Sequence, residues 1–266
     1  MKTIIIYILT FPQILICKVK RIKEDYTDLV SFFRYFPFGK INKDRTISFR
    51  FNGKKVNFFY GDLKPITAGI FKNGEYKNVN VKDRVVVDIG AATGDTAIYF
   101  ILRGATKVYG YELNKRSYDI AQKNIDLNNL RDKVNIEYCG VASKKIKSSD
   151  TILGAIIPTQ DRKDVDGANV KTLDEIVKEH NIHNAVLKVD TDGFEYDIFN
   201  TVKEETLQAF DMVVLEYHFG TKEIPNKLEK CGFKVKIGKA TKTHVAYHPK
   251  EYKDMEVGMI YAIIKN

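Results

Sequence analysis

Val85-Val86-Val87-Asp88-Ile89-Gly90-Ala91-Ala92-Thr93-Gly94-Asp95 is the stretch that decides how this 266-residue chain folds. A β-branched run ends in an acid, a glycine-bearing turn follows, and a helix then begins. Asp95 and Thr96 are placed to cap that helix, whose apolar face is Ala97, Ile98, Phe100 and Ile101 and which Gly104 closes. Lys107–Tyr111 reads as the next strand and delivers Glu112 at its end. Strand, turn, helix and strand make the start of a βαβ unit. Glycines let the backbone approach a ligand closely, and free N–H groups at a helix start favour a negative group. An acid at the tip of the second strand can hold a ribose diol.

The remaining punctuation extends this unit. Lys115–Asn128 is a helix with apolar Tyr118, Ile120, Ala121, Ile125 and Leu127, and Val134–Tyr138 is the third strand. Residues 143–170 are polar and poorly periodic, an insertion. Thr172 and Glu175 stand in capping-box spacing at the head of a helix that runs to about Glu179. Ala185–Val189 and Val213–Leu215 are strands four and five, and Lys222–Lys230 is a helix ending at Gly232. Phe233–Ile237 and Gly258–Ile264 are the last two strands. The pattern predicts a doubly wound, Rossmann-like α/β fold: a mostly parallel seven-stranded sheet with an antiparallel strand near the C-terminus. Asn52-Gly53, between Ile47–Phe51 and Lys55–Tyr60, is a hairpin signal. Residues 1–60 therefore read as an N-terminal extension of helix plus hairpin, and residues 61–266 as the nucleotide-binding domain.

Charge follows the same division. Of a net +9, residues 1–60 carry twelve Lys/Arg against four Asp/Glu, so the extension is basic and the rest nearly neutral. Basic segments attract membranes, nucleic acids or acidic partners, or simply keep a face solvated. Ile4–Cys17 is apolar but short for a spanning helix and is interrupted by Pro12 and Gln13. With Lys18, Lys20, Arg21 and Lys23 behind it, residues 1–40 suit an anionic membrane surface; core packing is the blander reading. Cys17, Cys139 and Cys231 form neither a metal motif nor a disulfide framework, which points to a reducing, cytoplasmic compartment, with attachment at the membrane periphery open.

The spacing of the turn selects among nucleotides. A dinucleotide fingerprint is G-x-G-x-x-G; here Ala92 holds the second glycine position and the third glycine is missing, which disfavours a dehydrogenase. The pattern Asp-x-Gly-x-x-x-Gly with Glu112 after the next strand resembles the S-adenosylmethionine site of class I methyltransferases. That resemblance implies a turn facing the methionine half and an acid on the ribose.

Strand four delivers Lys188-Val189-Asp190-Thr191-Asp192-Gly193-Phe194-Glu195, with Lys188 and Asp190 on one face. Three acids so close are costly unless a cation, a proton or helix N–H groups relieve them. Strand five delivers Glu216-Tyr217-His218, with Glu216 and His218 on one face. Chemistry belongs at these C-terminal strand ends.

These blocks narrow the resemblance. Val86-Val87-Asp88-Ile89-Gly90-Ala91 with Gly94, then Leu187–Glu195, then Val214-Leu215-Glu216-Tyr217-His218, resemble the FkbM family of methyltransferases, and Phe71-x-x-Gly74-Glu75-Tyr76 resembles its lead-in. The family usually has Lys-Ile-Asp-Val-Glu-Gly-Ala-Glu at the second block. Here Asp192 replaces the Glu, Phe194 the small residue, and Ala92 stands where Asn is usual. The resemblance implies an S-adenosylmethionine-dependent O-methyltransferase of sugars or related small hydroxyl compounds. It carries cofactor binding to Tyr76, Asp88, Gly90, Ala91, Ala92, Gly94, Asp95, Glu112 and Asp190.

Methyl transfer to a hydroxyl needs alignment and removal of a proton. His218 is the expected base, because an unperturbed imidazole titrates nearest neutral pH. Glu216 or Asp192 would orient it or bind a hydroxyl. Lys188 would hold a carboxylate or lower an alkoxide's energy, unless an ion pair with Asp190 or Glu195 occupies it. Asp190, Asp192, Glu195 and Glu216 are hard oxygen donors suited to Mg²⁺ or Ca²⁺, though nothing in the spacing demands an ion. Two alternatives stay open. One is an RNA methyltransferase using the basic extension, disfavoured because Asp190-Thr191-Asp192-Gly193 stands where base N-methyltransferases usually show Asp/Asn-Pro-Pro-aromatic. The other is a non-catalytic S-adenosylmethionine-binding module, disfavoured by the acid and His constellation itself.

Overall fold

The computed structural model describes residues 40–42, 44–59, 70–71, 74–143, 167–243 and 255–265. The readings made for residues 1–39, and for most of the insertion, lie outside these described residues.

Hydrophobic alternation and turn chemistry build the first unit. Strands β1 (Lys40–Ile41), β2 (Thr46–Phe51) and β3 (Lys54–Phe59) form an antiparallel sheet. Asn52 and Gly53 take φ of 48° and 77°, the two left-handed residues that a tight hairpin turn requires.

The main sheet begins with β4 (Val85–Ile89), α1 (Asp95–Leu102), β5 (Lys107–Glu112), α2 (Lys115–Leu127) and β6 (Val134–Tyr138). Then come the short parallel pair β7 (Gly140–Val141) and β8 (Val170–Lys171), α3 (Leu173–Glu179), β9 (Ala185–Val189), α4 (Glu195–Thr201) and α5 (Glu204–Leu207). The chain ends with β10 (Phe210–Tyr217), α6 (Ile224–Lys230), β11 (Phe233–Ile237), β12 (Thr241–Thr243) and β13 (Met255–Ile264). The sheet order is β11-β13-β10-β9-β4-β5-β6, with β12 paired to β13. The strands β6, β5, β4, β9 and β10 are parallel, and β13 runs antiparallel to both β10 and β11. This is the expected doubly wound sheet with its antiparallel strand near the C-terminus.

Successive strand residues face opposite sides, so the sheet buries two cores. Val86 joins Ala97, Ile98 and Phe100 on one face, while Val87 joins Leu187, Phe199 and Leu215 on the other. Residues 46–59, grouped above with the extension, share the first of these cores: Ile47, Phe49, Val56 and Phe58 are buried with Ile98 and Phe100. Phe71 bridges the two parts, with edge contacts to Phe49 at 5.2 Å and to Tyr99 at 5.3 Å between centroids. The open edge of β3 is closed by α2. Asn128 accepts from Asn57 N at 2.9 Å and donates to Asn57 O at 2.6 Å, as a neighbouring strand would.

Three local readings need correction. The cap of α1 is Gly94, at φ 77° with no side-chain bond, and Asp95 is the first helical residue rather than the cap. Helices α4 and α5 were not anticipated; they are short, and α4 buries only Glu195, Ile198 and Phe199, so an apolar period is hard to see. Strand β10 starts at Phe210, earlier than expected, across an irregularity between Phe210 and Met212. The capping box at Thr172 and Glu175 forms as read.

Asn124 is the tightest link between hairpin and sheet. It is buried, accepts from Phe59 N at 2.6 Å and donates to Thr93 O at 2.8 Å. Asn124→Ala leaves both backbone groups unpaired and should destabilise the fold by about 2–4 kcal/mol, measured by urea denaturation; a change below about 0.5 kcal/mol would show that the hairpin is not held there.

Candidate active site

Strand order reverses between β4 and β9, with β5 and β6 on one side and β10 on the other. Open α/β sheets bind ligands in the crevice at such a switch point. A cleft of about 450 Å³, counting its open mouth, lies there, lined by Gly90, Tyr111, Glu112, Leu113, Gly140 and Val141 on one side and Asp190, Thr191, Asp192 and Phe194 on the other. Ile89 and Cys139 complete the lining, which includes no Lys or Arg among the described residues.

The close approach of β4 and β9 explains Gly90. A Cβ there would stand 1.7 Å from the Asp190 carbonyl oxygen, and φ is 77°. The neighbouring strand's backbone thus demands this glycine, which the sequence reading had assigned to ligand approach. Gly94 is similar: its Cβ would sit 3.3 Å from the Ala121 Cβ. The turn also keeps its donors inside. Gly90 N and Ala91 N donate to Tyr111 O, and Gly94 N donates to Ala91 O. Few of the N–H groups expected to face a negative ligand remain free.

Lys188 lies in a strand whose five residues are all buried. Its Nζ is 3.1 Å from Asp88 Oδ1 and donates to Gly90 O at 2.6 Å. The ion pair is therefore with Asp88, not with Asp190 or Glu195. Burial would lower the Lys188 pKa, but Asp88 and Asp190 overcome it and the group stays charged, with its pKa raised. Asp88 Oδ2 accepts from Thr96 Oγ1 at 2.5 Å, so strand, turn and helix share one network.

Glu112 lines the cleft with its carboxylate held in place. Oε2 accepts from Ala92 N at 2.7 Å and Oε1 from Asn114 N at 2.6 Å, which leaves further lone pairs. Burial pushes its pKa up to about 7 against those two bonds. Ala92 pays for this contact with φ 44°, a left-handed conformation that Asn tolerates better. Asp95 is buried, pushed up to about 6 by that burial, and its Oδ2 has no hydrogen-bond partner among the described residues. Tyr76 stacks edge-on against Phe100 at 5.6 Å inside the core and is not part of the cleft lining.

At the far rim, α4 begins with Glu195, wholly buried. Its Oε2 accepts from Gly193 N at 2.8 Å and Thr191 Oγ1 at 3.1 Å. Its Oε1 accepts from His218 N at 3.0 Å and lies 3.2 Å from His218 Nδ1. Both oxygens are engaged, so Glu195 is not an open metal ligand. Nε2 of His218 faces Asp192 Oδ1 at 3.4 Å and Asp190 Oδ1 at 3.8 Å. Burial alone would lower the His218 pKa; the hydrogen bond and charge of Glu195, then Asp190 and Asp192, reverse this and raise it to about 9. The premise of an imidazole neutral at pH 7 therefore does not hold. Burial, then Asp190, push Glu216 up to about 8. Asp192 is pushed the same way, to about 6, by burial and Asp190, but its side chain is 48% exposed, so water blunts the effect. Glu75 was read only as part of a motif; burial and Asp190 raise its pKa too, which adds it to the acidic crowd. Its Gly74-Glu75-Tyr76 setting was the only available signal.

A model of the FkbM methyltransferase domain matches residues 88–235, more than half of the chain. The chain belongs to the FkbM methyltransferase family. A protein of Methanocaldococcus jannaschii described as a "putative protein N5-glutamine methyltransferase" is 29% identical over 163 residues, 60% of this chain and 75% of that protein. A ribosomal protein L11 methyltransferase of Carboxydothermus hydrogenoformans is 38% identical over 53 residues, 20% of this chain. The chain spans only 17% of that protein's length. The solved structure of M. capricolum TrmK with S-adenosylhomocysteine is similar at 14% identity and a TM-score of 0.48, covering 74% of this chain and 68% of that one.

The matched family model is that of a methyltransferase domain, and the residues lining the cleft suit S-adenosylmethionine. Glu112, Asp190 and Asp192 line the cleft, with no Lys or Arg among the described lining residues. Such walls attract the ammonium and sulfonium charges of S-adenosylmethionine and repel the pyrophosphate of a dinucleotide.

Two measurements test the site. Gly90→Ala should cost more than about 4 kcal/mol or prevent folding, read by thermal or urea denaturation. A near-native melt would mean that β4 and β9 are not so close. Affinity for S-adenosylmethionine should rise up to about tenfold from pH 6 to pH 8, because the ionised Glu112 is the better hydroxyl acceptor and its pKa lies near 7. By calorimetry Glu112→Gln should bind more weakly and lose that slope.

Proposed function

We propose that this enzyme methylates a hydroxyl oxygen of a sugar or a related small hydroxyl-bearing metabolite. The observation that carries this reading is the convergence of Asp190, Asp192 and His218 at the rim of the cofactor cleft. Bound S-adenosylmethionine supplies an electrophilic methyl group. The chain's own residues then have to align an acceptor oxygen and relieve it of its proton.

Glu112 is suited to hold the ribose hydroxyls, and its two backbone bonds orient it beforehand. Asp190 and Asp192 are suited to accept hydrogen bonds from neighbouring acceptor hydroxyls, being partly exposed at the mouth of the cleft. The Asp192 carboxylate is the group we assign to take the proton. His218 backs that carboxylate from the buried side and is itself fixed by Glu195. Phe194, almost fully buried along the lining, excludes water from the same wall. Lys188 acts in this reading as a positioning residue, because Asp88 and the Gly90 carbonyl already occupy it.

A second reading draws on the M. jannaschii relative: transfer to a glutamine side-chain nitrogen of a protein. A third, RNA methylation, draws on the basic residues 1–60. A radiolabelled methyl-transfer panel of sugars, small alcohols, glutamine-bearing proteins and RNA separates the three. The proposal expects label in a hydroxyl compound; label only in protein amide or RNA contradicts it. Asp192→Asn should lower kcat by about 10²-fold or more while the Kd for S-adenosylmethionine stays within about threefold.

A further inference from the structure

We propose that Asp190, Asp192 and His218 form a divalent-cation site at the rim of the cleft. The inference rests on the O-methyltransferase reading for the ion's use, not for its binding.

Each of the three residues offers a ligand atom within 4.8 Å of the other two. His218 is the informative member. It retains 6% of its surface, so its ring is taken out of water. Its Nδ1 lies 3.2 Å from Glu195 Oε1. That carboxylate is fixed in turn by Gly193 N, Thr191 Oγ1 and the His218 backbone N–H. A ring whose Nδ1–H points at a fixed carboxylate turns Nε2 to its other side, where an ion that displaces the Nε2 proton finds the nitrogen already aimed. Metal-ligating histidines are oriented in this way. Here Nε2 is aimed between Asp192 Oδ1 at 3.4 Å and Asp190 Oδ1 at 3.8 Å, and it makes no hydrogen bond among the described residues. With metal–ligand bonds near 2.1 Å, adjacent donors stand about 3–3.5 Å apart, so modest rotations of the two carboxylates complete the geometry.

Charge points the same way. Once an ion displaces the Nε2 proton, two carboxylates and a neutral imidazole present −2, which one divalent ion neutralises. The nearest buried cation, Lys188, is committed to Asp88 and the Gly90 carbonyl. A donor set of two oxygens and one imidazole nitrogen suits Mn²⁺ or Zn²⁺ better than Ca²⁺. The side chains of Asp190 and Asp192 are 31% and 48% exposed, so the open coordination positions face the mouth of the cleft. A hydroxyl bound there would have its pKa lowered and its oxygen positioned.

Mn²⁺ titration of the chelator-treated, dialysed full-length chain tests the site without any methyl transfer. Loss of the free-ion electron paramagnetic resonance signal should report one bound Mn²⁺ per chain, and the melting temperature should rise with it. Asp190→Asn and Asp192→Asn should each weaken Mn²⁺ binding at least tenfold, and His218→Gln likewise. Glu204→Gln, a surface control, should bind as the parent does. The two Asp variants lie at partly exposed positions and carry the test should His218→Gln not fold. A free Mn²⁺ signal that matches a protein-free control throughout the titration, or Asp variants that bind as tightly as the parent, would overturn the proposal and leave an ion-pair network only. Calorimetry with S-adenosylmethionine on the same samples separates the two readings. Cofactor binding without Mn²⁺ binding sinks the metal site alone. Mn²⁺ binding without methylation of any hydroxyl compound sinks the acceptor assignment alone.

Discussion

A single buried cation holds this site together. Lys188 sits at 1% exposure in the middle of a parallel strand, where near-continuous apolar runs are the rule. Its ammonium reaches across to β4 and engages both Asp88 and the Gly90 carbonyl. Burying two charges is costly, and their attraction repays that cost only with good geometry and further hydrogen bonds. The Thr96 hydroxyl on Asp88 and the carbonyl on Lys188 supply those bonds. Removing one partner would strand the other, a loss of about 3–5 kcal/mol. The pair therefore ties the strand end, the turn and the start of α1 to β9 at the point where the sheet order reverses.

Everything at the rim follows from that closure. With Gly90 pressed against the Asp190 backbone, the chain after β9 turns through Asp192 at φ 49° and Gly193 at φ 118°. That turn brings Asp190 and Asp192 to the cleft and drives Glu195 into the interior. Glu195 then takes hold of His218 from β10's end, both by its backbone N–H and by its ring. Acids stand on opposite walls of the cleft, Glu112 on one side and Asp190 with Asp192 on the other.

Much of this was legible in the sequence, and the residues show why. Strands β5, β6, β9 and β11 are bounded within a residue of their reading, because their apolar residues stop at polar or glycine-bearing turns. Glu112 could be placed from spacing alone. The partner of Lys188 could not. Strand alternation puts Lys188 and Asp190 on one face, but pairing across strands depends on register, and Asp88 lies opposite Lys188 in the β4–β9 ladder. The titration of His218 was equally hidden, since it depends on a carboxylate 23 positions away that only the fold brings to its ring. The role of Gly90 was misread for the same reason: a glycine's neighbour in space is not written beside it.

The most direct test of this account is the cofactor affinity of Lys188→Met, measured by calorimetry under conditions where denaturation shows the variant still folded. The account predicts that S-adenosylmethionine binds at least tenfold more weakly, because the turn and Asp190 lose their common anchor, and that the fold is weakened by about 3–5 kcal/mol. A Lys188→Met protein that binds the cofactor as the parent does would contradict it.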